Sequence, residues 1–451
     1  DRIQGVGEVS MAFDVLGDDG YERALYPGRI FKEKRAQRSQ MKFKLLLFCA
    51  LNLTAFAGPL QDAINAAEPG DTLRLNDGLY EGNIIVDKPL TIIGKSKNAV
   101  IRGDRKSSVI KVTAKNVKLV NLNIEGSGTS QMNLDAGISC AKGNNILVEK
   151  NRFKDVLFGI ELSECNQAVI RDNNITSKEG FDVPRRGDAV RAWYSHENLI
   201  ERNYVYNSRD IVAWFSSNNI IRKNYGQNNR YAVHTMYSAG NLIEDNEFSG
   251  GAVGMYFMFS TNSLVRRNVI INSNGAFGVG IALKDTSGFT VSENTFLYNS
   301  RGIYSDRSPL NPGTVNTLEN NQILYNVIGL QMHATQEKSV FKGNDFIGNM
   351  ETAINDTPGS KIELNEWSGN YFDEYEGLDV DRDGIGDTPY SHFVYADKLW
   401  QYYPTLRFFY GSTVISGLNF LAKLAPFSEP LKLLEDGSPK MRPNNAQKAT
   451  L

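Results

Sequence analysis

A motif of the form apolar-x-x-Asn-x-apolar repeats ten times along this chain. Its asparagines are Asn151, Asn173, Asn203, Asn224, Asn246, Asn268, Asn294, Asn321, Asn344 and Asn365. Most of them are 21–23 residues apart, and three longer spacings of 26, 27 and 30 residues mark insertions. Each repeat contains short runs that alternate apolar and polar residues, which is typical of strands. The period predicts an all-β solenoid, a parallel β-helix of about 22-residue coils whose stacking completes the core.

The repeated asparagines are interpreted as scaffold residues. Asparagine tolerates the left-handed backbone of a tight corner, and stacked amides can hydrogen-bond along the solenoid axis. We expect the β-helix to span residues 58–370, with a short amphipathic helix at Leu60–Ala67 capping the first coil. An acidic loop at 371–395 and a C-terminal capping or docking segment at 396–451 complete the predicted organisation.

An export signal is predicted at residues 41–57. Lys42 and Lys44 precede an apolar run from Leu45 to Leu53, and Ala55-Phe56-Ala57 forms a small-x-small cleavage site. Residues 1–40 lie upstream of this signal, so we interpret them as no part of the native protein. The apolar run is too short to span a bilayer. The mature protein is therefore expected to be exported, to begin near Gly58 and to contact membranes only through partners.

The net charge of −2 lacks the basic footprint that nucleic-acid binding requires, so no nucleic acid is expected. Removal of the signal leaves two cysteines, Cys140 and Cys165. They could form one disulfide in an oxidising compartment. Because they occupy different places within their repeats, we favour two buried free thiols.

Aligning the central coils on a shared serine column sorts their side chains into two faces. Two columns are expected to face inward: Ile160, Val190, Ile211, Val233, Met255 and Ile281, and Leu162, Ala192, Ala213, Thr235, Phe257 and Leu283. Strand residues alternate sides, so the interleaved columns must face outward. These are Glu161, Arg191, Val212, His234, Tyr256 and Ala282, and Ser163, Trp193, Trp214, Met236, Met258 and Lys284.

The outward columns suggest a copper site. His234 and Met236 share one strand face, and Met258 follows one strand spacing, about 4.8 Å, away. Imidazole and thioether ligands suit Cu(I). Met332 and His333 form a second soft pair of less certain direction. The alternative is a metal-free hydrophobic docking patch, in which Trp193, Trp214 and Tyr256 would meet a partner.

The stretch from Asp379 to Asp387 has the ligand spacing of a calcium loop. Asp379, Asp381, Asp383 and Asp387 occupy positions 1, 3, 5 and 9, Gly384 occupies position 6, and Ile385 supplies the backbone carbonyl of position 7. Position 12 is Tyr390 instead of glutamate, which argues against a calcium sensor and favours a structural Ca²⁺ site. The alternative is an acidic turn.

A C-terminal helix is predicted after the capping residues Ser412 and Thr413 and before Pro426. Its apolar residues, among them Ile415, Leu418 and Leu421, recur every three or four positions. The helix could pack on the solenoid or dock on a membrane-embedded partner.

Several stretches together resemble the NosD family of nitrous oxide reductase maturation proteins. They are GDAVRAWYS (187–195), RDIVAWFS (209–216), RYAVHTMYS (230–238), GIYSDRSPLNP (302–312), NYFDEYEGLDVDRDGIGDTPY (370–390) and the tail up to Pro443. The resemblance implies a periplasmic protein, a right-handed parallel β-helix that is not an enzyme. It also implies work with the ABC transporter NosF/NosY, the copper lipoprotein NosL and nitrous oxide reductase, whose copper-sulfur centre is being built.

Two other functions stay open from the sequence. A carbohydrate-active or carbohydrate-binding protein could stack sugars on Trp193 and Trp214 and use Asp188, Arg191, Arg209 or Asp210. Glycoside hydrolysis needs two facing carboxylates, and no outward column supplies such a pair. The third interpretation is a metal-free structural adaptor.

Overall fold

The computed structural model describes residues 58–394, 403–409, 412–424 and 431–444. Within them the chain forms a right-handed parallel β-helix of three long sheets, as predicted. Each coil contributes one strand to each sheet, and every coil pairs in parallel with the coils before and after it. The predicted signal peptide and residues 1–40 lie outside the described residues.

The strands of the first sheet are Thr72–Leu75, Thr91–Gly94, Lys118–Val120, Leu147–Glu149, Val169–Arg171, Leu199–Glu201, Ile220–Arg222, Leu242–Glu244, Leu264–Arg266, Thr290–Ser292, Asn316–Glu319, Ser339–Lys342 and Glu366–Ser368. Those of the second sheet are Gly78–Glu81, Ala99–Arg102, Asn123–Glu125, Arg152–Val156, Asn174–Ser177, Tyr204–Tyr206, Tyr225–Gln227, Glu247–Ser249, Val269–Ile271, Thr295–Leu297, Gln322–Leu324, Asp345–Ile347 and Tyr371–Phe372. Those of the third sheet are Ile84–Val86, Ile110–Val112, Ala136–Ala141, Phe158–Ser163, Val190–Trp193, Asp210–Trp214, Tyr231–Met236, Val253–Met258, Val279–Lys284, Arg301–Asp306, Ile328–His333 and Glu351–Asn355.

Two α-helices flank the solenoid in sequence. Gly58–Ala66 caps the first coil, where Gln61 accepts a hydrogen bond from the backbone N–H of Ile85. Thr413–Leu424 is the predicted C-terminal helix, and Ser412 Oγ accepts from the Ile415 N–H. The 3₁₀ helices among the described residues are Val183–Arg185, Ile362–Leu364 and Pro404–Phe409. No helix in the described ranges has the length and apolar character needed to cross a membrane.

A ladder of asparagines runs along the axis. In each pair, one asparagine donates from its backbone N–H and its side-chain amide to the side-chain oxygen of the next, as Asn224 does to Asn246 at 2.9 and 3.0 Å. Two predictions about this ladder are wrong. The left-handed residue is the one before each asparagine, for example Lys223 with φ 53°, and the final member is Asn370 instead of Asn365. Asn365 instead accepts from the Ser339 N–H in a neighbouring row.

The C-terminal residues close the last coil. Tyr390–Val394 and Leu431–Asp436 pair as an antiparallel two-stranded sheet, which the sequence pattern did not indicate. Asn370 donates to Asp436, so the ladder ends on this tail. The tail thereby covers the end of the asparagine ladder with a paired acceptor.

The core is built from the two predicted inward columns. Ile160, Val190, Ile211, Val233, Met255 and Ile281 are fully buried, and the members of the second column are at most 1% exposed. Cys140 and Cys165 form a disulfide with a Cα–Cα distance of 6.6 Å, which corrects the prediction of two free thiols. The two cysteines occupy different columns, but they lie in adjacent coils and therefore meet diagonally inside the core.

Candidate functional site

The outer face of the third sheet carries the two outward columns in the predicted register. Arg191, Val212, His234 and Tyr256 are Cα partners in successive strands, and so are Trp193, Trp214, Met236 and Met258. The first of these columns is largely covered, since Val212 is 4% exposed and the His234 side chain 12%. The outer face of the third sheet is therefore covered, not solvent-exposed, around Val212 and His234.

Two inserted loops provide this cover. Residues 126–135 and 178–189 each precede a strand of the third sheet, and Gln131 and Leu134 of the first loop line a common cavity with Val212 and His234. The two loops contact each other through a hydrogen bond from Gln131 Nε2 to Pro184 O at 3.3 Å. Leu134 of one loop and Phe181 of the other also pack against the same small buried cluster around Phe158. Residues 178–189, the insertion within the 30-residue spacing, and residues 126–135, which precede the first repeated asparagine, therefore form a wall together.

Beneath this wall is a cavity of about 220 Å³. Its lining includes three arginines, two aspartates and one histidine: Arg191, Arg209, Arg230, Asp188, Asp210 and His234. Trp214 and the exposed Gln131 also line it, so the cavity reaches the surface. His234 is the only one of the three predicted copper ligands in the lining, and Met236 and Met258 lie beside it in the next column.

Asp210 fixes the orientation of His234. Its Oδ2 lies 3.2 Å from His234 Nδ1, and it accepts further hydrogen bonds from Arg230 and from the Tyr231 N–H. Burial opposes ionisation of Asp210, but the hydrogen bonds from His234 and Arg230 outweigh it and lower its pKa to about 2. An ionised carboxylate can only accept, so Nδ1 carries the proton. His234 Nε2 is buried and has no hydrogen-bond partner among the described residues, and in this tautomer it carries the lone pair.

Asp188 differs sharply from Asp210 although both line the cavity. Burial, followed by the charge of Asp210, raises the pKa of Asp188 to about 6. A carboxyl pair with separated pKa values is what acid-base chemistry on a glycosidic bond requires. The sequence placed these two residues near a corner and supplied no such pair, so their meeting in one cavity is a finding of the structure.

An aromatic ladder beside the cavity was missed at the sequence level. Tyr194, Phe215, Tyr237 and Phe259 stack with ring centroids 4.9–5.1 Å apart and interplanar angles of 5–8°. Tyr194 and Tyr237 are 47% and 46% exposed. Each residue directly precedes one of the column-aligning serines, which is the signal that could have revealed the ladder.

The second soft pair proposed from the sequence is wrong. Met332 is 1% exposed and faces the core, whereas His333 lies on the outer face and contacts Asp356 through Nδ1 at 2.7 Å. Adjacent strand residues point to opposite sides, so the two cannot share a ligand. His333 belongs to the same outward row as Asp306 and Lys284.

The acidic loop is compact. Carboxylate oxygens of Asp379, Asp381 and Asp383 lie within 4.8 Å of one another. Asp379 accepts from the N–H groups of Asp383 and Gly384, at 3.1 and 3.0 Å. Asp387 is used differently, since its Oδ2 accepts from the Val380 N–H at 2.7 Å. Three predicted side-chain ligands thus cluster, and calcium binding stays a prediction.

The C-terminal helix presents apolar side chains to solvent. Leu418 and Leu421 are 48% and 54% exposed, Val414 is 72% exposed, and Ile415 is half-buried. Among the described residues this is an amphipathic helix with much of its apolar surface uncovered.

Comparison with known proteins bears on this site. The family model described as "Periplasmic copper-binding protein (NosD)" matches residues 175–377, a region that contains His234, Met236 and Met258. The predicted resemblance to the NosD family is confirmed. Two relatives are both named "Probable ABC transporter binding protein NosD". The one from Pseudomonas aeruginosa is 27% identical over 85% of this chain and 91% of its own. The one from Stutzerimonas stutzeri is 25% identical over 78% and 83%.

Solved structures support the fold. The catalytic unit of a GH87 alpha-1,3-glucanase from Streptomyces thermodiastaticus superposes with a TM-score of 0.57, at 14% identity, over 69% of this chain and 65% of that chain. A second GH87 alpha-1,3-glucanase catalytic domain gives 0.51, at 12% identity, over 72% and 68%. At such identity the likeness concerns the parallel β-helix alone.

Proposed function

We propose that this chain is a periplasmic accessory protein that works with an ABC transporter in maturing the copper-sulfur centre of nitrous oxide reductase, and that it holds Cu(I) as cargo. The description of the matching family as copper-binding and periplasmic supports the cargo and the compartment. The relatives' names support the transporter partner. A copper lipoprotein such as NosL would be the donor.

His234 carries the proposal for the copper ligands. Metal-binding histidines commonly donate their second ring N–H to a carboxylate, which fixes the tautomer and aims the other nitrogen at the metal. Asp210 does this for His234, whose Nε2 is buried and meets no hydrogen-bond partner in the part of the chain that the structure describes. Met236 on the same strand and Met258 on the next would add thioether ligands, giving a set that prefers Cu(I).

Competition with a chromophoric Cu(I) chelator tests this site. His234→Ala and Asp210→Asn should each weaken Cu(I) binding about tenfold or more. Met236→Leu and Met258→Leu keep the volume and remove sulfur, so a loss in these variants identifies the thioethers as ligands. His333→Ala, on the same sheet but outside the cavity, is the matched control. Unchanged affinity in the His234→Ala/Met236→Leu double variant would remove the site, and no affinity in the unaltered protein would favour the adaptor.

We expect the transporter to bind the exposed C-terminal helix and the aromatic side chains on the outer face of the third sheet. Leu418 and Leu421 are exposed, and Ile415, Trp193, Trp214 and Tyr256 were predicted to share the docking role. Leu418→Glu/Leu421→Glu should reduce co-purification with NosF/NosY while leaving Cu(I) affinity unchanged. Co-purification at the original level would remove this helix from the proposed interface.

One observation favours a second candidate, a carbohydrate-active function. Asp188 and Asp210 line one cavity with pKa values of about 6 and about 2. Against it, the NosD relatives are named as binding proteins. Release of reducing ends from a panel of polysaccharides, abolished by Asp188→Asn, would establish this function, and no release from any of them would reject it.

A further inference from the structure

Four residues that line the cavity each have a buried polar atom without a hydrogen-bond partner among the described residues. The atoms are Asp188 Oδ1, Arg209 Nε, Trp214 Nε1 and His234 Nε2. Buried polar groups are nearly always paired in native proteins, so such a concentration indicates a place for a ligand or ordered water. The cavity has space for about seven water molecules.

Arg209 differs from the other two arginines of the cavity. Arg230 donates to both carboxylate oxygens of Asp210, and Arg191 donates to Glu161 at 3.2 Å. Arg209 Nε lies 3.4 Å from Asp188 Oδ1 without forming a hydrogen bond. Arg209 Nε therefore has an ion-pair neighbour but no hydrogen-bond acceptor among the described residues, and the indole N–H of Trp214 likewise lacks an acceptor there.

We propose that this cavity binds a small oxyanion, whose oxygens accept hydrogen bonds from Arg209 Nε and Trp214 Nε1. Both groups are donors only, so the atom that satisfies them must be an acceptor. A negative charge fits best, because hydrogen bonds from guanidinium to an anion are charge-assisted. The inference goes beyond the proposed copper function and does not depend on it.

Asp188 would set the affinity of this site. The arginines Arg191, Arg209 and Arg230 are balanced by Glu161, Asp188 and Asp210, so the cavity as a whole carries no excess positive charge when all are ionised. An ionised Asp188 beside Arg209 repels an incoming anion. The neutral isostere Asp188→Asn should therefore bind the anion more tightly than the unaltered protein.

The test is calorimetric titration of the purified, copper-free protein with sodium sulfate and, in a second arm, sodium acetate. Both are run in an oxyanion-free chloride buffer at constant ionic strength. Saturable binding of either anion is expected, and the two arms distinguish tetrahedral from planar ligands. Arg209→Gln should weaken binding about tenfold or more, and Trp214→Phe, which keeps the ring and removes the N–H, several-fold. Asp188→Asn should tighten binding several-fold.

Two controls separate this site from the copper site and from general charge effects. Met236→Leu/Met258→Leu, at positions outside the cavity lining, should lose Cu(I) affinity and keep anion affinity within about twofold, whereas Arg209→Gln should lose anion affinity and keep Cu(I) affinity. Arg202→Gln removes an arginine that pairs with Asp172 and Glu201 away from the cavity, and should change neither. No saturable binding of either anion, or equal binding by the unaltered, Arg209→Gln and Trp214→Phe proteins, would overturn the proposal. Trp214→Phe decides the matter if Arg209→Gln does not fold.

Discussion

Asp436 accepts hydrogen bonds from both the backbone N–H and the side-chain amide of Asn370, at 2.9 and 2.8 Å. Each asparagine of the ladder makes these two contacts with the asparagine of the next coil. A residue from the C-terminal strand thus occupies the position of the next asparagine, although it lies 66 residues further along the chain. The end of the ladder is therefore satisfied without another coil.

Asp436→Ala should destabilise the last coil by about 2–3 kcal/mol, because it leaves buried N–H groups of Asn370 unpaired. Asp436→Asn keeps an acceptor oxygen and should cost clearly less. Urea unfolding measures the difference, and hydrogen exchange at the amides of Asn344 and Asn370 locates it. Equal stability of the two variants would show that Asp436 does not cap the ladder.

Ionisation of the buried Asp345 side chain should make the stability of the folded protein depend on pH. Burial raises its pKa to about 6, and its Oδ2 has no hydrogen-bond partner among the described residues. In the unfolded chain the pKa is near 3.9, so the folded state binds the proton more tightly and stability falls as pH rises from about 4 to about 7. Asp345→Asn should therefore stabilise the protein at pH 7.5, by up to about 2 kcal/mol, and give no gain at pH 4.

Asp172→Asn is the matched control for Asp345. Arg202 donates to Asp172 and lowers its pKa, so the contribution of Asp172 to stability is present above its unfolded pKa and is lost as pH falls. Thermal unfolding between pH 4 and pH 8 should show opposite signs for the two variants at neutral pH. Destabilisation by Asp345→Asn at pH 7.5 would contradict the assignment.

The disulfide between Cys140 and Cys165 closes a segment with a sequence separation of 25. A loop of this length constrains the unfolded chain by about 3 kcal/mol. The Cys140→Ala/Cys165→Ala variant should lose about 2–3 kcal/mol of unfolding free energy. Reductant should lower the stability of the unaltered protein to a similar extent and leave the variant unchanged. Alkylation of both thiols in the unreduced, denatured protein would disprove the bridge.

Calcium should stabilise the acidic loop, because carboxylate oxygens of Asp379, Asp381 and Asp383 lie within 4.8 Å of one another. At a hundredfold excess over the dissociation constant, Ca²⁺ would add about 2.7 kcal/mol. A rise of Tm with Ca²⁺ that EDTA reverses is the readout, and Asp381→Asn/Asp383→Ala should abolish it. A Tm independent of Ca²⁺ and EDTA would leave the loop as an acidic turn.

The register of the coils could be read from the sequence because a strand side chain has only two directions and a shift by one residue would expose the core. His234 and Met236 were placed on the outer face for this reason. Assignment by the repeat motif failed at Asn365, which fits the pattern apolar-x-x-Asn-x-apolar as well as any other copy. Asn370, between Trp367 and Phe372, fits the same motif, and the coil register decides that Asn370 and not Asn365 enters the ladder.

The walls of the cavity could not be predicted from periodicity. Gln131 and Pro184 lie in loops that are not part of the repeat. The two residues are 53 positions apart in sequence, yet they form a hydrogen bond. The two pKa values differ because Asp210 accepts hydrogen bonds from His234 and Arg230, which lower its pKa, whereas burial and the charge of Asp210 raise the pKa of Asp188. The contact between Cys140 and Cys165 was missed because the column alignment compares only equivalent positions of successive coils, and the two cysteines occupy different positions in theirs.

The ladder of Tyr194, Phe215, Tyr237 and Phe259 has a consequence for any molecule that approaches this corner. The inner rings stack face to face, so their electron-rich faces are covered by neighbouring rings. The ring edges, whose C–H bonds are partially positive, are therefore what points outward. Such an edge attracts carbonyl or carboxylate oxygens and offers no flat platform to a pyranose.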